Sequence, residues 1–586
     1  MMIQPFDYDA VTLLNCQVLD ALKETEEFYK NIPMDRFFKY MRRDAGFDAP
    51  GKPYTGWFVN SRGGMLTGQF VSAFSRMYAA TGVEDFRNKA VDFFEEYMRC
   101  YRKLAGTPKE LLGNTSFYDY EKLLRAIIDL TDYAHYKEAA DALPVLLDFA
   151  DRRLTQSNLF GDNLTEWYTM PESLLAVYET FGIEKARDLA FRWEYRSFWD
   201  LFYRDQNPFS RRPEAGLYSE FCHAYSHVNS FNSCAEFFRV TKDPYYLCAL
   251  RKFYRFMQSE EVMATGGYGP DFEHIMPKYR IVDALRAGHD SFETQCDTYA
   301  AFRLSKNLTV FTGEAQYGNW PELLIWNAAL STIPMTEEGN VIYYSDYNMY
   351  GATKENRADG WTCCTGTRPL LMMEIPRLIY FHSNKALYID QFIPSRVRFS
   401  ACGKNACLVQ KTEFPAKDTI RFFVEIQGGV SAFSLKWRMP SWLEKKLSLR
   451  ILDVEEKDIT QRFDISVDDQ GWLCACGAWP EKSTAYLTLP QALSLKLLDP
   501  MKKGPAAFMH GPIALAASYT GPQTPNDAMD LLRILPEMIP DPENPLHFHV
   551  RGRDDILFKP FFEYREHEKY FIYHDTCAHR TDRFAK

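Results

Sequence analysis

Two adjacent cysteines, Cys363 and Cys364, stand in the short polar stretch GWTCCTGTRP (360–369). Successive side chains point in different directions, and a disulfide between neighbours conflicts with the geometry of that bond, so neither packing nor cross-linking accounts for the pair. Two other segments carry groups that could meet it. ATGGYGPDFEHI (264–275) follows a glycine turn with Glu273 and His274, and HDSFETQCDTYAAFRL (289–304) places Glu293 and Cys296 where a helical run begins. Three residues apart, Glu293 and Cys296 share one helix face. Thiolates with one carboxylate form a tetrahedral zinc set, soft sulfur beside one hard oxygen. The predicted ligands are therefore Glu293, Cys296, Cys363 and Cys364, and the predicted cofactor is Zn2+. The gap from Cys296 to Cys363 is 67 residues, and no pair of CxxC knuckles is present. Each group also has a plainer reading: Cys296 as a buried filler, Glu293 as a first-turn carboxylate favoured by the helix dipole, Glu273 as a solvated loop acid. The adjacent pair tips the balance towards chemistry.

Something must carry these segments to one place. Up to about residue 380 the chain reads as helices in recurring pairs, as in MYAATGVEDFRNKAVDFF (77–94), VYETFGIEKARDLAFRW (177–193), FFRVTKDPYYLCALRKF (237–253) and TVFTGEAQYGNWPELLIW (309–326). In each, one helix stops at a turn residue and another starts shortly after. Gly82, Gly182 and Gly313 sit where a left-handed C′ residue is needed. About twelve helical runs between Asp9 and Phe381 make six pairs, the number that closes an (α/α)6 barrel. After about Leu387 the period changes. TIRFFVEI (419–426) alternates Ile420, Phe422, Val424 and Ile426 on one face, and short strands with turn signals follow through AYLTLP (485–490), IALAASY (513–519) and YFIYHD (570–575). The predicted class is mainly α plus β: an (α/α)6 barrel catalytic domain (1–385), a β-sandwich (386–500), and a second sandwich region or completion of the first (501–586).

Composition narrows the partners. The net charge is −10 and no Lys/Arg stripe is present, which argues against nucleic acid. No stretch has the roughly 18 uninterrupted apolar residues of a membrane span, and MMIQPFDYDAVTLL lacks a basic n-region before an apolar run. The 13 cysteines are odd in number and scattered, Cys234 and Cys248 within helical runs, a pattern of free thiols in a reducing compartment. A cytoplasmic location is the expectation. Aromatics at 15% suit sugar clefts and large cores alike.

The segments also resemble a known family in order. QVLDALKETEEFYKNIPMDRFFKYMRRDAGFDAP, GQFVSAFSRMYAATG, EWYT (166–169), HAYSH (223–227), ATGGYGPDFEHI, ETQCDTY, LLIWNAAL, CCTGT, FIPSRVRF (392–399) and LFKPFFEY (557–564) resemble the β-L-arabinofuranosidase family, glycoside hydrolase family 127 and its relatives. The resemblance implies an (α/α)6 barrel with β-sandwiches and a retaining exo-glycosidase releasing β-L-arabinofuranose or a similar sugar. It implies Cys363 as nucleophile, forming a thioglycosyl intermediate, and Glu273 as general acid and then base. Zinc on Glu293, Cys296 and Cys364 would keep the Cys363 thiol ionised. His223 and Tyr168 would line the sugar pocket, with Tyr344 and Asp346 of YYSDYN as partners for sugar hydroxyls. His227 reads equally well as a core histidine. A glycoside or oligosaccharide is the expected partner, and a sandwich beside a barrel offers surface for a homodimer.

Three departures from the family pattern stand out. Thr294 occupies the place of the metal-binding glutamate, with Glu293 one residue earlier. Gln69 replaces a frequent histidine, and Pro171-Glu172 a frequent His-Lys; both changes are expected at the pocket rim. Two other readings stay open. One is an (α/α)6 lyase or epimerase using His223 and His274, which would leave the cysteines unemployed. The other is a carbohydrate-binding protein without catalysis or metal.

Overall fold

The structure is a computed structural model of the 586-residue chain. It describes residues 3–56, 64–107, 109–112, 117–154, 166–206, 208–209, 223–289, 294–341, 345–355, 360–499, 505–520 and 534–574.

Among the described residues of the first part, twelve helices form the paired framework: α1 (Gln17–Lys30), α2 (Gly64–Thr81), α3 (Glu84–Leu104), α4 (Phe117–Asp132), α5 (Leu143–Arg153), α6 (Met170–Phe181), α7 (Glu184–Arg192), α8 (Ala224–Thr241), α9 (Pro244–Phe256), α10 (Gln295–Thr312), α11 (Asn319–Leu324) and α12 (Cys363–Ile379); further short helices, among them Arg196–Tyr203 and Lys278–Ala287, lie in the connections. The even-numbered helices pack each on the next, and α12 packs back on α2, so the ring closes. The odd-numbered helices return the chain around the outside, which gives the six inner helices one direction. Sequence pattern sorts the two layers. Outer α3 buries a stripe of Phe86, Ala90, Phe93, Phe94, Tyr97 and Tyr101 at helical spacing and exposes the rest. Inner α8 is buried on all sides from Ala224 to Phe237. Gly182 and Gly313 end α6 and α10 at left-handed φ of 68° and 73°, as their positions predict.

Two six-stranded sheets and a seven-stranded sheet follow. In 419–426 the residues Ile420, Phe422, Val424 and Ile426 are buried and alternate with more exposed neighbours, matching the strand period. The chain's start is part of this layer: Gln4–Pro5 pairs with Phe381–His382, and Val11–Leu13 pairs with Ser395–Val397. The sandwich therefore contains residues that helical periodicity groups with the barrel.

The sheets brace the barrel through buried polar clamps. Arg438 has no exposed surface and reaches Glu322 Oε1 at 2.7 Å and Asn319 Oδ1 at 2.7 Å on α11, and Asp390 Oδ1 at 3.1 Å. The third sheet holds two loops of the barrel. The Tyr573 hydroxyl accepts from the Ala264 N–H at 2.7 Å, and the Tyr570 hydroxyl donates to the Asp346 carbonyl at 2.8 Å. Both loops belong to segments singled out for chemistry.

Candidate active site

With six parallel inner helices, all their N-termini open at one end of the barrel, and the chemically rich segments lie there. Cys363 and Cys364 open α12, Cys296 is in the first turn of α10, His223 is the N-cap of α8, and Tyr168 lies in the turn leading into α6. Helix N-termini carry partial positive charge and favour thiolates and carboxylates.

Each start is locally fixed. The Thr294 hydroxyl accepts from the Asp297 N–H at 3.2 Å, and Asp297 Oδ2 accepts from the Thr294 N–H at 3.0 Å, a capping box that sets Cys296. At α12 the Thr362 N–H donates to Thr365 Oγ1 at 3.3 Å. Pro369, inside this helix, has no N–H for the Thr365 carbonyl. The hydroxyl of Tyr29 donates to that carbonyl instead. Gly366 lets α2 approach: a Cβ there would stand 1.9 Å from Gln69 Oε1.

The three thiols of Cys296, Cys363 and Cys364 all lie within 4.8 Å of one another, the one such metal-ligand group among the described residues. Cys296 Sγ and Cys364 Sγ are 3.8 Å apart. Two sulfurs bound at about 2.3 Å to a tetrahedral zinc would be separated by about 3.8 Å, so the thiols fit that ion. Cys296 also contacts Thr367 Oγ1 at 3.1 Å, and Thr367 in turn accepts from Gln69 Nε2 at 2.9 Å. Burial pushes the thiols of Cys363 and Cys364 well up. Burial acts on Cys296 too, but hydrogen bonds from the Cys363 and Cys364 thiols outweigh it and hold Cys296 well below the usual thiol range. Without a cation the cluster thus favours one negative charge, on Cys296; ionising more than one thiol calls for a bound cation. Cys363 keeps 8% of its residue surface exposed while Cys296 and Cys364 keep none, so Cys363 is the least buried of the three cysteines.

Glu273 stands close enough for its charge to act on Cys296 and Cys364. Its Oε1 is 3.1 Å from the Thr294 hydroxyl and its Oε2 3.7 Å from His223 Nε2. His223 Nδ1 faces Glu166 Oε1 at 3.0 Å and Ser226 Oγ at 2.8 Å. Burial opposes charge on this imidazole, but its hydrogen bonds to Glu166 and Glu273 prevail and raise it well above the usual histidine range. Glu166 and Glu273 both adopt left-handed backbone, at φ of 48° and 63°. Such conformations cost non-glycine residues about 1–3 kcal/mol and persist where surrounding structure imposes them.

The remaining predicted residues divide. Tyr168 is buried, donates to or accepts from Ser226 Oγ at 2.7 Å, and stacks on Tyr195 at 4.7 Å, so it supports His223 from below. His227 is a core histidine, fully buried, with Nδ1 2.7 Å from the His223 carbonyl. Asp346 is buried in the neighbouring loop, with Oδ2 3.1 Å from His289 Nδ1 and Oδ1 accepting from the Asn348 N–H. Glu293 and Tyr344 lie outside the described residues. The Thr294 hydroxyl reaches Glu273 Oε1 at 3.1 Å and Asp297 Oδ2 at 3.0 Å. Gln69 and Glu172 are both buried on inner helices, not at a rim. Sequence reading missed Glu166, Asp297 and Thr367. Burial, then the charge of Glu273, raises the Asp297 carboxyl well above its usual range.

Comparison with known proteins decides the family. Residues 10–376 match the β-L-arabinofuranosidase GH127 catalytic domain, and residues 386–491 match the GH127 middle domain. The chain belongs to the GH127 β-L-arabinofuranosidase family. It is a glycoside hydrolase on that ground. A search of curated proteins finds no match. Among solved structures, a GH127 β-L-arabinofuranosidase from Geobacillus stearothermophilus T6 is 14% identical, with TM-score 0.69 over 97% of this chain and 100% of that one. A second GH127 β-arabinofuranosidase is 14% identical, with TM-score 0.69 over 98% of both chains. A protein described as a glycoside hydrolase is 12% identical, with TM-score 0.70 over 98% of both. At these identities the likeness establishes the GH127 fold. Among the described residues no helix is long and apolar enough to cross a membrane.

Proposed function

We propose that this GH127 member is a retaining exo-glycosidase that releases β-L-arabinofuranose, or a closely similar sugar, through a cysteine nucleophile. The observation that carries the reading is the meeting of three buried thiols at two inner-helix N-termini beside Glu273. Zinc, held by Cys296, Cys363 and Cys364 with Glu293 as the oxygen ligand, would supply the positive charge that keeps the thiols ionised. Sγ of Cys363, the least buried of the three cysteines, attacks the anomeric carbon. The C–S bond forms as the glycosidic C–O bond breaks, and Glu273 gives its proton to the departing oxygen. In the second step Glu273 takes a proton from water, the water oxygen bonds to the anomeric carbon, and the C–S pair returns to sulfur. His223, held between Glu166 and Glu273, orients Glu273. With both ring nitrogens facing carboxylates, this geometry also disfavours the lyase or epimerase reading, which needs His223 as a free base.

The test combines metal content with turnover. Protein purified without added metal is expected to hold about one zinc per chain, lost in Cys364→Ser, in line with a closed thiolate set. Hydrolysis of an aryl β-L-arabinofuranoside is expected to vanish in Cys363→Ala and to fall about 10²–10⁴-fold in Glu273→Gln. A zinc-free wild type that still turns over, or a fully active Cys363→Ala, would sink the mechanism. Binding of the sugar without turnover would instead favour a carbohydrate-binding protein.

A further inference from the structure

Away from the thiols, the inner helices enclose a cavity of about 320 Å³. All six contribute to its wall, which places it on the barrel axis. It runs from Gln69, near the thiol end, towards Arg377 and Tyr133 at the helices' C-terminal end. The wall is charged where a barrel core is normally apolar.

The charges do not balance. Two of the cations have carboxylates of their own: Lys122 pairs with Glu121 at 3.0 Å, and Arg239 with Glu236 at 3.1 Å and with Glu179 at 4.0 Å. The other lining cations are Arg76, Arg125, Arg303, Lys306 and Arg377, and they share the lining carboxylates Asp129, Glu172 and Glu374. Arg76 binds Asp129 at 2.8 Å. Arg125, at 3.4 Å, and Arg303 both use Glu172. Lys306 and, at 3.9 Å, Arg76 both use Glu374. Arg377 lies in the last turn of α12, where the helix end offsets it, so the deficit falls on Arg125 and Arg303, two guanidinium groups on the one carboxylate of Glu172. Helix C-termini can offset cations in the last turn only; Arg125, Arg303 and Lys306 all sit more than a turn from theirs. The local field is positive enough to be felt. Burial, then the nearby Arg125, lowers the Arg303 guanidinium to about 10. Burial lowers Lys306 to about 7, Arg377 and Arg76 adding to the effect against Glu374.

A shortfall of negative charge in a largely buried wall is costly, and a mobile counter-ion offsets it; the Arg125 side chain keeps 26% of its surface exposed, so an ion can enter from solvent. We propose that the cavity binds a small inorganic oxyanion of phosphate or sulfate size between Arg125, Arg303 and Lys306. Arg125 and Arg303 meet at one carboxylate, and Lys306 lies one turn beyond Arg303 on α10, so two planar guanidinium forks and one ammonium face the same space. Forked donors match tetrahedral oxygens better than a spherical halide. The site is separate from the thiol cluster and does not depend on the glycosidase reading.

The experiment is a thermal-shift titration of the whole protein with inorganic phosphate, at ionic strength held constant with a bulky sulfonate salt. A saturable rise in Tm is expected for the wild type. In Lys306→Gln and in Arg125→Gln the midpoint should move at least about tenfold to higher phosphate, as expected when one charged partner is removed. No rise, or an unsaturating rise equal in all three proteins, overturns the proposal. Should a variant not fold, wild-type crystals soaked in selenate decide alone. An anomalous peak between Arg125, Arg303 and Lys306 is expected, and its absence in well-diffracting soaked crystals overturns the proposal.

Discussion

Tyr29 on α1 donates its hydroxyl hydrogen to the Thr365 carbonyl, the group that Pro369 leaves without a helical partner. An outer helix thus completes the first turn of α12, directly behind the two cysteines. Tyr29→Phe leaves that buried carbonyl unpaired, at about 1–3 kcal/mol. The variant is expected to fold with a Tm lower by a few degrees, read by calorimetry. An unchanged Tm would show that the carbonyl finds another partner.

Gly366 is there because α2 comes too close for a side chain. Gly366→Ala would set a Cβ 1.9 Å from Gln69 Oε1, and 2.9 Å from Leu66 Cδ2. The substitution is expected to cost about 1–3 kcal/mol by overpacking. Gln69→Ala should restore a large part of it, so the double-mutant cycle should show coupling of about 0.5–3 kcal/mol. Additive effects in urea unfolding would mean that the clash is relieved elsewhere.

Cys296 Sγ lies 3.1 Å from the Thr367 hydroxyl. With zinc on the thiols as proposed, that hydroxyl would orient the sulfur as an outer hydrogen bond orients a metal ligand. On that reading Thr367→Val, nearly equal in shape, is expected to keep the fold and weaken zinc retention about 10–100-fold. Competition with a chromogenic chelator measures it, and wild-type affinity in the variant would rule the role out.

Far from the site, His574 is fully buried in the third sheet, and burial lowers its imidazole to about 3. An unfolded chain protonates this histidine near 6.5. Between those values the unfolded state binds the extra proton, so stability is full above about pH 6.5 and is lost as pH falls towards 3. At pH 5 the loss is about 2 kcal/mol. His574→Phe, which suits the Phe508 and Phe558 rings beside it, should flatten the fall in Tm between pH 7 and pH 5. An equally steep fall in the variant would assign the acid sensitivity to other groups.

The barrel was legible because its grammar is local. Apolar period, turn glycines such as Gly182 and Gly313, and the change of period before 419–426 each speak within a short window. The thiols were legible for a different reason: Cys363 next to Cys364 has no easy packing explanation, so a third partner had to be sought. Glu166, Asp297 and Thr367 gave no such signal. Asp297 looks like any first-turn acid, Thr367 like any helical threonine, and Glu166 matters only because His223, far along the chain, folds against it. Gln69 and Glu172 stand out in the sequence as departures from the family pattern, but their burial on inner helices was not legible there, because it depends on helix contacts far apart in the chain.

The pairing of Gln4–Pro5 and Val11–Leu13 with strands near residues 381 and 396 has a consequence for biosynthesis. These strands leave the ribosome before their partners, which follow almost four hundred residues later. At about 5–20 residues per second that is roughly 20–80 seconds. During this interval two edge strands hang from a growing helical ring, so the ring's closure and the first two sheets' completion fall within one short window of translation. Truncation before that window would yield a product whose opening segment is a sticky end.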